Sequence, residues 1–288
     1  MLRHSKLTPW LYLSPALLVM GVLLMYPVIN TIVLSFFGPR SERFVGIDNY
    51  VELFSDPRML LVFRNNAIWL FAFTGFTVVA GLALAILADR VRYESVAKSV
   101  IFMPMAISAA GASVIWKFVY SYRPPGSEQI GLLNAIVTAL GGEPVAWLVI
   151  QPVNNLFIIV VGVWMWTGFA MTVLSASYKG IPKDYVESAR LAGANERQVL
   201  TYVILPMMWP TIVAVATTIM VIVLKIFDFV YVMTNGNFNT EVIANKMFKA
   251  MFRFNYFGQA SALAVILFLL TLPVIVANAR RTAQSERR

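Results

Sequence analysis

The stretch VNNLFIIVVGVWMWTGFAMTVLSA, residues 153–176, carries no charged side chain over a length sufficient for one membrane-crossing helix. A hydrocarbon core of about 30 Å requires about 20 mostly apolar residues in an α-helix. Other stretches of the chain meet the same requirement. We therefore predict an all-α polytopic membrane protein, a single transmembrane domain over residues 1–288, with six spans near residues 10–37, 60–87, 100–120, 153–176, 211–233 and 260–279.

The overall composition agrees with a bilayer as the solvent of this chain. Hydrophobic residues make up 59% of the sequence and charged residues 13%, whereas about a quarter of the residues of a soluble domain are charged. A net charge of +9 could indicate nucleic-acid binding, but a nucleic-acid binder concentrates its basic residues on one face or stripe. Here they lie between apolar runs, so we expect contact with membrane lipid and none with nucleic acid.

The residue types needed for several kinds of chemistry are missing from the sequence. There is no cysteine, and the one histidine, His4, lies in the basic N-terminal tail. Thiol nucleophiles, thiolate metal sites and histidine catalysis are therefore not expected. The chain also has no G-x-x-x-x-G-K-[ST] loop for cradling nucleotide phosphates. We expect no metal or cofactor to be bound by this chain.

The distribution of Lys and Arg predicts the orientation in the membrane, because cytoplasmic loops carry an excess of both. Arg3 and Lys6 precede an apolar stretch that is too long for a signal peptide, so it is taken as a retained first helix. With six spans, both termini lie on one side, which carries thirteen basic residues: Arg3, Lys6, Arg90, Arg92, Lys98, Lys179, Lys183, Arg190, Arg197, Arg280, Arg281, Arg287 and Arg288. The other side carries seven: Arg40, Arg43, Arg58, Arg123, Lys246, Lys249 and Arg253. Both termini are therefore predicted to be cytoplasmic.

The loop at residues 179–210 has the strongest local signals. Pro182 and the two residues after it favour a helix start, and Gly193 favours its end. Asn195 followed by Gln198 predicts a capping box for a second helix over residues 196–204, which Pro206 and a second proline should end before the fifth span. From these local signals alone, the loop could be a membrane-surface hairpin or an element that docks into a partner.

The same loop resembles the E-A-A…G…I-x-L-P loop of permease subunits of bacterial ABC importers. The residues that carry the resemblance are Glu187, Ser188, Ala189, Gly193, Ile204, Leu205 and Pro206. Two positions depart from the family pattern: Ser188 stands where alanine is usual, and Ala192 where sugar permeases often have aspartate. Ser188 is small enough to preserve close packing, whereas the missing aspartate could alter a local cap or salt bridge.

The resemblance implies a type I ABC importer permease fold in the bacterial inner membrane, with this loop as the coupling helix that inserts into an ATPase subunit. It implies a second homologous permease, two ATP-binding subunits that use ATP and Mg, and a periplasmic or lipid-anchored solute-binding protein. Transport would proceed by alternating access, with ATP hydrolysis in the partners and none in this chain.

Other segments resemble the maltose-type and multiple-sugar branch of these permeases over nearly the whole chain. Residues 44–50 look like its first external loop, and residues 163–169 like its fourth span. Residues 225–231, followed by 240–245, are most similar to permeases for α-glucosides and related solutes such as glucosylglycerol. The resemblance therefore implies a sugar or a sugar-like solute.

Candidate solute-binding residues combine aromatic faces for sugar C–H groups with acceptors and donors for hydroxyls. They are Asp228, Phe227, Tyr231, Lys225, Trp166 and Asn155. Charged groups inside a span usually face protein or a water-filled cavity. Lys225 and Asp228, three residues apart on one predicted helix, could instead pair with each other, and any single aromatic could serve in packing. Asn65 and Asn66 fit interhelical hydrogen bonds better than solute contacts.

Three alternative functions remain at this stage. An ion-coupled secondary transporter would show inverted repeats with broken spans in matching halves, and no convincing repeat is present. An ABC permease for amino acids, phosphate or peptides would line its path with charge-matching groups. An intramembrane enzyme is disfavoured because His and Cys pairs and paired-carboxylate motifs are lacking.

Overall fold

The structure, a computed structural model, describes residues 8–285, which fold into helices joined by turns. The helices are Pro9–Leu34 (α1), Asp48–Ser55 (α2), Pro57–Ala88 (α3), Glu94–Phe102 (α4), Ala109–Val119 (α5), Leu132–Ala139 (α6), Asn154–Lys179 (α7), Lys183–Leu191 (α8), Glu196–Leu224 (α9), Asp228–Met233 (α10), Ile243–Phe252 (α11) and Phe257–Ser285 (α12). The predictions made for Arg3, His4, Lys6, Arg287 and Arg288 fall outside the described residues.

The all-α polytopic prediction is confirmed. Between residues 8 and 285, five helices are long and apolar enough to cross a membrane: α1, α3, α7, α9 and the Phe257–Ala277 part of α12. A sixth span arises if Glu94–Ala106 and Ala109–Val119 count as one, although they are bent by 99° at a break. The third span predicted near residues 100–120 therefore corresponds to this bent pair and not to one continuous helix. Ser108 begins α5 as its cap, with its hydroxyl accepting from the Gly111 N–H at 3.1 Å.

The fifth span differs from its prediction at both ends. Pro206 and Pro210 do not interrupt the helix, since α9 runs unbroken from Glu196 to Leu224. A π-helical turn at Leu200–Ile204 precedes Pro206, and such widened turns accommodate a missing backbone donor. At the other end the helix stops at Leu224, nine residues before the predicted boundary at residue 233.

The early end of α9 separates two residues that the sequence placed on one helix. Lys225 follows the last residue of α9, Phe227 has the non-helical angles φ −136° and ψ −61°, and Asp228 begins α10. Between residues 8 and 285 no ion pair joins Lys225 to Asp228. The alternative in which these two side chains neutralise each other on adjacent helical positions is therefore wrong.

The chain divides into two compact units, which are described separately here. The first consists of residues up to 59 together with 246–269, and the second of residues 60–245 together with those from 270 onward. In the first unit, the buried amide of Asn49 donates to the carbonyls of Ser35 at 2.8 Å and Phe37 at 2.7 Å. An ion pair of 3.3 Å joins Lys246 to Asp56. The prediction of a single transmembrane domain stays a prediction.

The second unit is built around α7, which packs along α3. The buried side chains of α7 include Ile158, Met171 and Leu174, all 0% exposed. Trp69 and Phe73 on α3 are equally buried and join the same core. Because lipid is as apolar as these side chains, close packing rather than burial from water holds such helices together. Small residues at the contacts therefore matter more than in a soluble bundle.

Gly168 on α7 packs closely against the backbone of residues 101 and 102. A Cβ placed there would lie 2.6 Å from the Cα of Phe102 and 2.7 Å from the carbonyl oxygen of Ile101. We expect Gly168→Val to destabilise the protein by about 1–3 kcal/mol through overpacking. A lower thermal-unfolding midpoint in detergent would show this destabilisation. The control is Gly75→Ala, because nothing lies within 4 Å of a Cβ at that position. Equal midpoints for the two variants would contradict the prediction.

Candidate coupling hairpin and solute site

Residues 180–206, termed the α8 hairpin below, contain the first candidate site. The short helix α8 follows Pro182 and ends in a Schellman motif, in which Gly193 N–H donates to the Arg190 carbonyl at 2.9 Å and Ala194 N–H to the Ala189 carbonyl at 3.0 Å. Gly193 has φ +88°, a conformation that side chains with a Cβ rarely adopt. The predicted helix and its glycine stop are both present.

The start of α9 is held by a capping box, as the sequence predicts. Asn195 Oδ1 accepts from the Gln198 N–H at 3.0 Å, and Gln198 Oε1 accepts from the Asn195 N–H at 2.9 Å. Across the turn, Arg190 makes a two-bond pair with the Glu196 carboxylate, at 2.9 and 3.2 Å. These hydrogen bonds raise the pKa of Arg190 above its ordinary value. The Schellman hydrogen bonds, the capping box and the Arg190–Glu196 ion pair therefore hold the turn together.

The two faces of the α8 hairpin differ in burial. Val186, Ala189 and Ala194 pack against the core of the second unit. The opposite face presents Glu187 and Leu191, and Leu191 is 90% exposed. A small, rigid protrusion with an apolar side chain at its tip has the form that a partner's groove can receive.

The predicted coupling residues lie partly on the exposed face of the hairpin and partly on its buried face. Glu187, Ser188, Gly193 and Pro206 are exposed, whereas Ala189 and Leu205 are half-buried against the core. Beside them lies a cleft of about 620 Å³, lined by Asp89, Tyr178, Lys179, Ile181, Lys183, Val186, Glu187, Arg190 and Ile204. A role of these residues in coupling stays a prediction.

The second candidate site is the break between α9 and α10. The rings of Phe227 and Tyr231 stack with centroids 5.0 Å apart and planes 20° apart. Asp228 is exposed on the same short segment, as is Lys225 just before it. On the inner side, Phe229 stacks on the buried ring of Trp69 at 6.3 Å. Phe229 therefore anchors the segment in the core. The Phe227–Tyr231 pair and the Asp228 carboxylate lie on its other side.

The two remaining predicted solute residues lie on α7 and are not part of this group. Trp166 is half-buried, with its ring edge-on to Phe169 at 5.9 Å. Asn155 is 3% exposed, and its Nδ2 donates to Asn65 Oδ1 at 3.1 Å. Contact of Asn155 with a solute stays a prediction and would require this buried bond to open.

Residues 234–242, the loop after α10, are held by a set of buried amides that sequence reasoning missed. Asn65 Nδ2 donates to the carbonyls of Asn239 at 2.7 Å and Glu241 at 2.9 Å. Asn154 Nδ2 donates to the Phe238 carbonyl at 2.7 Å. The prediction that Asn65 forms interhelical hydrogen bonds is confirmed by its bond to Asn155. Asn66 Oδ1 accepts from the Ile243 N–H at 2.8 Å, directly after the loop. We call Asn65, Asn66, Asn154 and Asn155 the asparagine clamp.

The clamp supports an unusual backbone. Asn235, Gly236, Phe238 and Asn239 all have positive φ, between 52° and 73°. Left-handed residues other than glycine are costly and persist only where their surroundings hold them in place. Paired asparagines at the starts of two spans, together with an asparagine-rich turn, were the sequence signal for this arrangement.

Asn65→Leu tests the clamp. It would remove a donor of the Glu241 carbonyl and the shorter of two donors of the Asn239 carbonyl. A buried group left unsatisfied costs about 1–3 kcal/mol. We expect a lower unfolding midpoint and faster proteolysis in residues 234–242, measured by mass spectrometry of the fragments. Asn237→Ala, an exposed position in the same loop, is the control. Unchanged proteolysis in Asn65→Leu would show that the loop does not depend on the clamp.

Comparison with known proteins places this architecture in a family. Residues 77–282 match the family described as binding-protein-dependent transport system inner membrane component. The chain belongs to this family. It is a membrane-spanning permease subunit of an ABC importer and therefore an inner-membrane protein, which confirms the predicted class and supersedes the ion-coupled alternative.

Two relatives align with this permease over almost its full length. The osmoprotective compounds uptake permease GgtC of Synechocystis is 54% identical, covering 96% of this chain and 99% of the relative. The α-glucoside transport system permease AglF of Rhizobium meliloti is 46% identical, covering 97% of this chain and 84% of the relative. The predicted similarity to α-glucoside permeases is confirmed.

The fold of this permease also matches solved importers. A chain of a bacterial ABC transporter that imports alginate superposes with a TM-score of 0.81 over 96% of this permease and 95% of that chain, at 20% sequence identity. A second structure of an alginate ABC transporter, solved with a pentasaccharide-bound periplasmic protein, gives a TM-score of 0.80. The type I ABC importer permease fold is confirmed.

Proposed function

We propose that this permease carries an α-glucoside or a glucosylated compatible solute, such as glucosylglycerol, across the inner membrane by ATP-driven alternating access. The observation that carries the proposal is the full-length similarity to two permeases, one named for osmoprotective compounds and one for α-glucosides. Both names describe small polar solutes, and glucosylglycerol has features of both groups.

The break between α9 and α10 supports this solute class. A stacked pair of rings, Phe227 and Tyr231, offers an apolar face to the C–H side of a pyranose. The exposed Asp228 carboxylate beside it accepts hydrogen bonds from hydroxyls, because an ionised carboxylate has acceptor sites only. A charged side chain in a membrane protein is costly unless it faces water or a ligand, so a solute path is the favourable place for it.

The proposed assembly contains this permease, a second homologous permease, two ATP-binding subunits and a solute-binding protein that is periplasmic or lipid-anchored. The two ATP-binding subunits use ATP and Mg. Both termini and the α8 hairpin lie on the cytoplasmic side, in line with the excess of Lys and Arg there. The exposed Glu187, Ser188 and Leu191 dock on an ATPase subunit, and the half-buried Ala189 and Leu205 connect the docked face to the core.

Import by the complete importer in proteoliposomes tests the proposal. With its binding protein and ATP present, we expect accumulation of radiolabelled glucosylglycerol or of an α-glucoside such as sucrose or trehalose. Histidine and inorganic phosphate serve as control solutes. A nonhydrolysable ATP analogue should abolish accumulation. ATP-dependent uptake of a control solute alone would favour a permease for non-sugar solutes, and ATP-independent uptake would overturn the proposal.

A further inference from the structure

Five polar side chains meet where three spans end beside the α8 hairpin. They are Asp89 after α3, Glu94 and Lys98 on α4, and Ser175 and Lys179 on α7. We call them the Glu94 network. The coupling residues described above do not include any of them.

The Glu94 carboxylate is the centre of the network. Lys179 Nζ lies 2.7 Å from it and 3.6 Å from Asp89 Oδ1. Lys98 also donates to Glu94, and it donates to the hydroxyl of Ser175 as well. The Glu94 carboxylate and the Lys98–Ser175 bond therefore both join α4 to α7, and the ammonium of Lys179 extends the connection to the end of α3.

The burial of these groups decreases outward from Ser175. The Ser175 residue is 2% exposed and the side chains of Lys98 and Glu94 are 20% and 25% exposed, whereas those of Asp89 and Lys179 are 32% and 47% exposed. Exposed pairs contribute little because water and salt screen them. A partly buried network with several members is screened less and holds its geometry better.

The network lies against the hairpin that is proposed to receive the ATPase. Asp89 and Lys179 line the same 620 Å³ cleft as Lys183, Glu187 and Arg190 of α8. Only Gly180, Ile181 and Pro182 separate the end of α7 from the start of α8. A displacement of α8 therefore reaches α7 at Lys179, where the network connects it to two other spans.

We propose that Glu94 is a positioning residue for coupling. Together with Lys179, which pairs with Asp89 after α3, it joins the ends of α3, α4 and α7 into one rigid body. Movement of the α8 hairpin then displaces three spans together. This inference rests on the proposed function, in which the hairpin receives the motion of the ATPase. Glu94 contacts neither nucleotide nor solute and acts through Lys179.

The test measures solute imported per ATP hydrolysed by the complete importer in proteoliposomes. We expect Glu94→Gln to lower this ratio about threefold to tenfold while ATP hydrolysis continues. Lys179→Gln should have a similar effect, although it leaves the Glu94–Lys98 pair within α4 intact. The double variant should be no worse than Lys179→Gln alone, because Lys179→Gln already breaks the Glu94–Lys179 bond together with the Lys179–Asp89 pair. Glu143→Gln, at an exposed position away from the network, is the control.

Each outcome has a defined meaning. A wild-type ratio in Glu94→Gln and Lys179→Gln would overturn the role of Glu94 and leave the proposed function standing. Two effects that multiply in the double variant would also overturn it, because the residues would then act independently. A parallel fall in hydrolysis and import, with an unchanged ratio, would indicate a structural role only. Absence of ATP-dependent import by the unaltered importer would overturn the proposed function itself.

Discussion

Gly193→Val is expected to reduce solute import at least tenfold while the assembled importer still hydrolyses ATP. Valine is β-branched and is strongly disfavoured at the φ of +88° that Gly193 adopts. Nothing lies within 4 Å of a Cβ at this position, so the effect comes from the backbone and not from a clash. A turn that relaxes would reorient α8 relative to α9 and displace the docking face with Glu187.

The matched control is Gly193→Asn, because asparagine tolerates the left-handed conformation far better than valine. It should retain most of the import. Import and ATP hydrolysis are measured on the same proteoliposomes, and binding of solute to the external protein is measured separately and should not change. Full import in Gly193→Val, or equal loss in both variants, would show that the left-handed turn does not control coupling.

Replacing Asp228 with alanine is expected to reduce the maximal import rate about tenfold to hundredfold, the usual effect of losing one or two hydrogen bonds to a charged group. The loss should appear with saturating, solute-loaded binding protein, because the defect lies in the permease. Asp228→Asn keeps one acceptor and should lose less. The solute affinity of the binding protein and the unfolding midpoint of the importer should stay unchanged.

Substitution of Phe227, whose ring lies beside this carboxylate, tests the same site independently. Phe227→Ala removes half of the stacked pair with Tyr231 and should also lower import about tenfold, whereas Phe227→Tyr preserves the ring and the rate. If Asp228→Ala and Phe227→Ala both import at the wild-type rate, the solute does not contact the break between α9 and α10. The solute site would then lie on other residues or on the second permease.

Several elements were predictable from the sequence because their causes are local. The helix start at Pro182, the stop at Gly193 and the capping box of Asn195 with Gln198 depend on interactions within a few residues, and the structure contains all three. The apolar runs likewise predicted the spans, since the length of a span follows from the thickness of the bilayer.

Other elements were wrong or missed because their causes are tertiary. The prolines at 206 and 210 predicted a break that does not occur, since the π-helical turn at Leu200–Ile204 and packing against the core keep α9 continuous. The end of α9 at Leu224, directly before Lys225, is not marked by glycine or proline. It coincides with Phe229 stacking on Trp69, far away in the sequence.

The sequence by itself determined that this chain spans a membrane, where four of its spans lie to within a few residues, and that it belongs with the permeases of ABC importers. Apolar length and short motifs carry that information locally. Only the tertiary structure decided that the helix ends before Lys225 and a new one begins at Asp228, that buried asparagines hold the loop after α10, and that the Glu94 network joins three spans beside the α8 hairpin. These features depend on residues up to 176 positions apart, as in the bond between Asn65 and Glu241, and packing alone brings such residues together.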